Sequence, residues 1–167
     1  MAKTILFSKY FPAYHPRAGE PTFFAEKICK YLSSNGGDNA QKLTKNLLRN
    51  NFGTSDRDSI FPKLHTIRNG HRWKENEYFS PRIWSGPPYA SKQIRIAEDL
   101  RIKHLWDIMI LPSMEVFING QLFGFYGSPE VELLAQHDGL SNEDFQNWFS
   151  KLPFDGQIIC WDDHVEY

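Results

Sequence analysis

The densest run of chemically capable side chains is Lys63-Leu64-His65-Thr66-Ile67-Arg68, continued by Asn69-Gly70-His71-Arg72-Trp73-Lys74. A threonine hydroxyl beside a lysine makes a nucleophile–base pair when the amine is desolvated. An arginine close by holds a planar oxyanion or a phosphate through two parallel hydrogen bonds. On an extended strand Thr66 and Arg68 share one face, and Lys63 has the other parity. Lys63 joins them only at the mouth of the strand, just after Pro62, where alternation is not enforced. The plainer alternative is a solvated strand end carrying ordinary charges.

Aromatic rings and cations interleave around this run. Trp73, Tyr78, Trp84 and Tyr89 alternate with Arg72, Lys74, Arg82 and Lys92. Rings that stack on bases beside cations that meet phosphates are the usual means of holding single-stranded nucleic acid. Trp73 and Tyr89 read as surface rings, Tyr78 and Trp84 as core. His65, Arg68, Arg72, Trp73, Tyr89 and Lys92 are therefore candidate ligand-binding residues. Arg17, on a loop with Tyr14 and His15 after the first strand, is another. The six histidines show no HxxxH or HExxH spacing, and neither Cys29 nor Cys160 belongs to a CxxC pair. No metal site is expected. The phosphate-cradling patterns GxxxxGK[ST] and GxGxxG are missing from the sequence too, so no cofactor is expected. Cys29 reads as inert core.

Charge is unevenly spread. Residues 1–106 hold 18 Lys+Arg against 9 Asp+Glu, whereas residues 107–167 hold 1 against 11. A basic part suits a polyanionic partner; the alternative is that the two parts neutralise one another. No apolar run approaches the ~20 residues of a membrane span. The N-terminus, Met1-Ala2-Lys3-Thr4, lacks the apolar core of a secretion signal. Two distant cysteines fit a reducing compartment, so a cytoplasmic protein without a membrane partner is expected.

The 167 residues suit one domain, 1–167. Residues 4–10 read as a strand, and Thr22 as the cap of a helix with Phe24, Ile28, Tyr31 and Leu32 at helical spacing. Residues 33–62 read as an insertion, with a short helix presenting Leu43 and Leu47 and a polar loop from Asn50 to Ser59. Strands are expected at 64–68, 78–84, 92–97, 102–111, 114–118, 121–125 and 157–161. Asn119-Gly120 marks a tight hairpin. Ser128-Pro129 and Ser141 open two helices, the second with Phe145, Trp148, Phe149 and Leu152 on one face. So many short strands favour a strongly curved or closed sheet with helices at its side.

KLHTIR resembles the K-x-x-T-x-R motif of ASCH domains, members of the PUA-like superfamily. FSKYF, WSGPPYASKQI, AQHDGLSNEDFQNWF and GQIICW resemble further parts of that family in the same order. The resemblance implies an α+β fold: a small PUA-like β-barrel of about seven or eight strands with three or four flanking helices. It implies a cleft that binds RNA or a modified nucleoside around Lys63, Thr66 and Arg68. It also offers an alternative, an amidohydrolase that deacetylates N4-acetylcytidine. There Lys63 is the base, Thr66 the nucleophile, and Asp138, in place of the family's glutamate, the acid that protonates the leaving amine. A ribonuclease using the same cleft, or an interaction protein with an acidic C-terminal face, are further readings.

Overall fold

The computed structural model describes residues 1–35 and 61–167. The expected short helix around Leu43 and Leu47 and the loop from Asn50 to Ser59 lie outside the described residues. The chain gathers into two compact units. The first is Met1–Lys63 with Tyr78–Leu100, the second Leu64–Glu77 with Arg101–Tyr167.

In the first unit, β1 (Lys3–Leu6) runs parallel to β3 (Tyr78–Trp84), and β3 pairs antiparallel with β4 (Gln93–Arg95). The two-residue β5 (Leu100–Arg101) also pairs with β3. Helix α1 (Phe24–Asn35) buries Phe24, Ala25, Ile28 and Cys29, one stripe at helical spacing. Its start is set chemically. Thr22 Oγ1 accepts from the Phe24 N–H at 3.3 Å and donates to the Ser8 carbonyl at 2.7 Å. One hydroxyl thus caps the helix and ties it to the end of the first strand.

The second unit holds an antiparallel sheet in the order β2-β9-β6-β7-β8: β2 (His65–Asn69), β9 (Phe154–Cys160), β6 (His104–Ile110), β7 (Glu115–Ile118) and β8 (Gln121–Phe125). Asn119 and Gly120 join β7 to β8 with φ of 49° and 77°, the left-handed pair that a two-residue hairpin turn needs. Helix α2 (Pro129–His137) starts where Ser128 accepts from the Val131 N–H, with Pro129 in the first turn. Helix α3 (Asn142–Trp148) is capped in the same way by Ser141, which accepts from the Asp144 N–H at 3.0 Å. Ile108, Ile110, Val116, Val131, Leu134, Phe145 and Ile158 form the buried core of this unit.

The fold is α+β, with three helices among the described residues, but the expected closed barrel is corrected. The strands form two separate sheets, and neither closes on itself among the described residues. Closure of the five-stranded sheet would require β2 to pair with β8; among the described residues β2 pairs with β9 alone. Many short strands are equally compatible with two small sheets and with one barrel, because strand length carries no information about which ends meet.

Strands β2 and β9 come closest at Gly156. A Cβ added there would lie 2.1 Å from the Arg68 carbonyl oxygen. Only glycine lets β9 come this near to β2. Gly156→Ala is expected to prise β2 from β9 and to lower stability by about 1–3 kcal/mol, measured as a urea midpoint. An unchanged midpoint would show that the strands tolerate the extra methyl.

Candidate functional site

Strand alternation divides the central motif between two faces. In the β2–β9 register His65 lies opposite Cys160 and Ile67 opposite Ile158, while Thr66 faces Ile159 and Arg68 faces Gln157. Thr66 and Arg68 therefore share one side of the sheet, His65 and Ile67 the other. The entry to β2 is fixed by the Leu64 N–H, which donates to the His137 carbonyl at 2.8 Å.

On the His65 side lies a buried polar chain. His65 Nε2 and His137 Nδ1 stand 2.7 Å and 2.8 Å from the Tyr167 hydroxyl. One hydroxyl satisfies both imidazoles if it donates to one and accepts from the other, which two neutral rings allow. Burial pushes the Tyr167 phenol well above its usual range, with the Cys160 and Asp138 charges adding to it. Burial pushes His137 down, partly offset by Asp162. Tyr167 and His137 are thus both held toward their neutral forms within the string. Asp138 closes its far end: its carboxylate is 3.7 Å from His65 Nδ1, an electrostatic contact rather than a hydrogen bond. The residue is itself the C-cap of α2 and is buried. Burial also pushes the Cys160 thiol up to about 12, so it is no nucleophile near neutral pH.

On the other side, Thr66 is 4% exposed and its hydroxyl takes no hydrogen-bond partner among the described residues. Burial pulls the Arg68 guanidinium down to about 10; the Asp138 charge opposes this and the Arg72 charge adds to it. Arg68 stays charged at neutral pH. Beside it, Gln157 clamps the backbone of Trp73, accepting from its N–H at 3.0 Å and donating to its carbonyl at 3.4 Å.

The remaining candidates fall as follows. Trp73, expected as a surface ring, is 3% exposed, because the Gln157 clamp draws its strand-end loop inward. Arg72 is exposed, with its guanidinium carbon 5.6 Å from the Trp73 ring. Tyr78, expected in the core, is exposed. Lys63, Arg17, Tyr89 and Lys92 belong to the first unit. There Lys63 is 1% exposed, its ammonium 4.3 Å from the centre of the Phe24 ring and its backbone N–H donating to the Lys27 carbonyl. Arg17 pairs with Glu20 at 2.7 Å and lies over Phe11. Tyr89 is exposed against Trp84, and Lys92 is exposed. A cavity of about 200 Å³ opens at the start of α1, lined by Lys9, Tyr10, Thr22, Phe24, Glu26 and neighbours, and it holds none of the candidate residues.

Sequence reasoning missed Gln157, His137 and Tyr167. No local pattern marks them, since each acts through a residue far away in the chain. Among the described residues, no group of three or more His, Cys, Asp or Glu could hold a metal ion, and no helix is long and apolar enough to cross a membrane. Compared with family models, with curated proteins and with solved structures, the chain matches none.

Two substitutions probe this geometry. Tyr167→Phe removes the oxygen shared by both imidazoles, and should cost about 1–3 kcal/mol in a urea titration; a loss below the error of the fit would dismiss the string as a structural element. His71 lies on the surface between two carboxylates, 2.9 Å from Asp107 and 2.9 Å from Asp155. Its pKa is raised, first by the hydrogen bond to Asp155 and then by that to Asp107. The folded protein therefore favours the imidazolium. The stability it adds is full below the unfolded value of about 6.5 and is lost as pH rises through the higher folded value. His71→Gln should flatten the stability–pH curve between about pH 6 and 8; an unaltered curve would assign that slope to other groups.

Proposed function

We propose that the second unit binds a modified nucleoside of the cytidine type through Thr66 and Arg68. The observation that carries this reading is a desolvated guanidinium at Arg68, within electrostatic reach of the buried Asp138, on the same strand face as a Thr66 hydroxyl with no partner among the described residues. A cytosine ring offers two adjacent acceptors, O2 and N3, to the forked donors of an arginine. Its 4-nitrogen keeps an N–H even when acylated, and a hydroxyl oxygen accepts from it. Asp138 holds the charge on Arg68 without having to touch the ligand. The resemblance of KLHTIR to the K-x-x-T-x-R motif of ASCH domains supports the same reading.

Charge favours a nucleoside over an RNA strand at this place. The second unit carries six Lys+Arg against thirteen Asp+Glu. A polyanion would be repelled by that excess, whereas an uncharged nucleoside is indifferent to it.

The test is a calorimetric titration with N4-acetylcytidine and with cytidine. Thr66→Val keeps the volume and deletes the hydroxyl; Arg68→Lys keeps the charge and deletes the fork. Each should weaken binding about tenfold or more. If wild type takes up neither nucleoside at millimolar concentration, or if both variants bind as well as wild type, the reading fails. The same mixtures are assayed for free acetate. Release of acetate by wild type that Thr66→Val abolishes would make the chain an amidohydrolase.

A further inference from the structure

The hairpin of β3 and β4 carries a second set of groups that the fold does not use. Along β3, Tyr78, Ser80, Arg82 and Trp84 share one face. The register places Arg82 directly opposite Arg95, and Trp84 opposite Gln93. Like charges directly across a ladder are destabilising. Arg95 has its own relief: Nη2 meets the Asp99 carboxylate at 2.6 Å and Nε donates to the Ala97 carbonyl at 3.0 Å. Arg82 has none of this kind. Its guanidinium donates to the Ser80 hydroxyl at 3.2 Å and meets no carboxylate among the described residues. A half-buried guanidinium is thus aimed by a neutral, buried serine and keeps most of its donors.

Two positions along the same face, Trp84 meets a ring that contributes little to packing. Tyr89 is 90% exposed, with its ring centre 5.4 Å from that of half-buried Trp84. The turn that presents it is built rigidly. Gly86 N–H donates to Ser91 Oγ at 3.0 Å, Ser91 Oγ donates to the Pro87 carbonyl at 2.8 Å, and the Ala90 N–H donates to the same carbonyl. Tyr89 itself sits at φ +63°, a left-handed conformation that a bulky residue adopts only at a cost. Lys92, exposed and without an acidic partner among the described residues, comes just after the turn. The described residues of this unit hold nine Lys+Arg against four Asp+Glu. An uncompensated cation pair, a propped exposed ring and a basic surround together match one chemistry: phosphates joined to flat, unpaired bases.

We infer that this hairpin binds single-stranded nucleic acid, with Arg82 and Lys92 on phosphates and a base stacked on Tyr89 against Trp84. The inference goes beyond the nucleoside reading, concerns the other unit and does not rest on it. Stacking on a ring and pairing with phosphate read no sequence, so pyrimidine-rich strands of any order should bind.

The experiment uses the full chain and a fluorescein-labelled ten-nucleotide oligouridine, read by anisotropy between 50 and 300 mM KCl. The same strand annealed to its complement should bind at least about tenfold more weakly. Tyr89→Ala should lose about 5- to 100-fold in affinity. Arg82→Gln and Lys92→Ala should each weaken binding and reduce the salt slope by about 1. Tyr89→Ala and Lys92→Ala alter exposed positions, so they remain informative if Arg82→Gln misfolds on a circular-dichroism melt. Thr66→Val should leave strand binding unchanged while it weakens nucleoside binding, which separates the two proposals. Absence of binding by wild type, equal affinity for the duplex, or full affinity in Tyr89→Ala would overturn the inference. Displacement of the strand by equimolar polyglutamate would overturn it too, marking the hairpin as a general anion surface. If uridine monophosphate bound as tightly as the strand, a single-nucleotide site would replace the strand site.

Discussion

Arg68 is where it is because the strand beside it carries Gly156. Where most residues would place a Cβ, the β2 backbone passes at 2.1 Å. This close antiparallel pairing locks the register of β2 on β9, and the register decides which side of the sheet each polar residue of the KLHTIR motif can reach. A slip of one position would exchange the two faces outright, sending Thr66 and Arg68 among the imidazoles and His65 to the other side. The chemistry available to the second unit is therefore a consequence of a backbone contact at a residue that carries no functional group.

The two sides use polarity differently. On the His65 side the polar groups answer one another inside the protein: two imidazoles share one phenol, and the Asp138 carboxylate stands behind them. Such an arrangement is stable only when its members stay together, since a buried donor left alone loses its water without replacement. On the Thr66 side the matching stops short. Gln157 commits both ends of its amide to Trp73, but the Thr66 hydroxyl has no partner among the described residues. A ligand has something to bind on that side, whereas the phenol between the imidazoles is already engaged within the chain.

In the first unit the same contrast appears in charge. Arg17 and Arg95 are each neutralised by a carboxylate three or four residues away, and so are absorbed into the local structure. Among the described residues, Arg82 meets only a hydroxyl. Its distinction from the other two is invisible in composition, because all three are arginines. What differs is the identity of the residue that the fold brings to each guanidinium.

Sequence alone determined those elements whose cause lies within a few residues. Asn119-Gly120 adopts the left-handed pair expected of it, Ser128 and Ser141 cap their helices, and strands stand at 78–84 and 121–125, because turn and cap chemistry is short-range. The dense run from Lys63 to Lys74 was also legible, as residue types at a spacing. What the sequence left open was every pairing between distant segments. Two separate sheets replace a closed barrel, since strand ends meet through the whole chain and not through local preference. Trp73 turns inward on account of Gln157, and His65 finds its partner 102 positions away in Tyr167. Contacts of that span are fixed by the packing of the core and the register of the sheet, neither of which is written in the neighbourhood of the residues that make them.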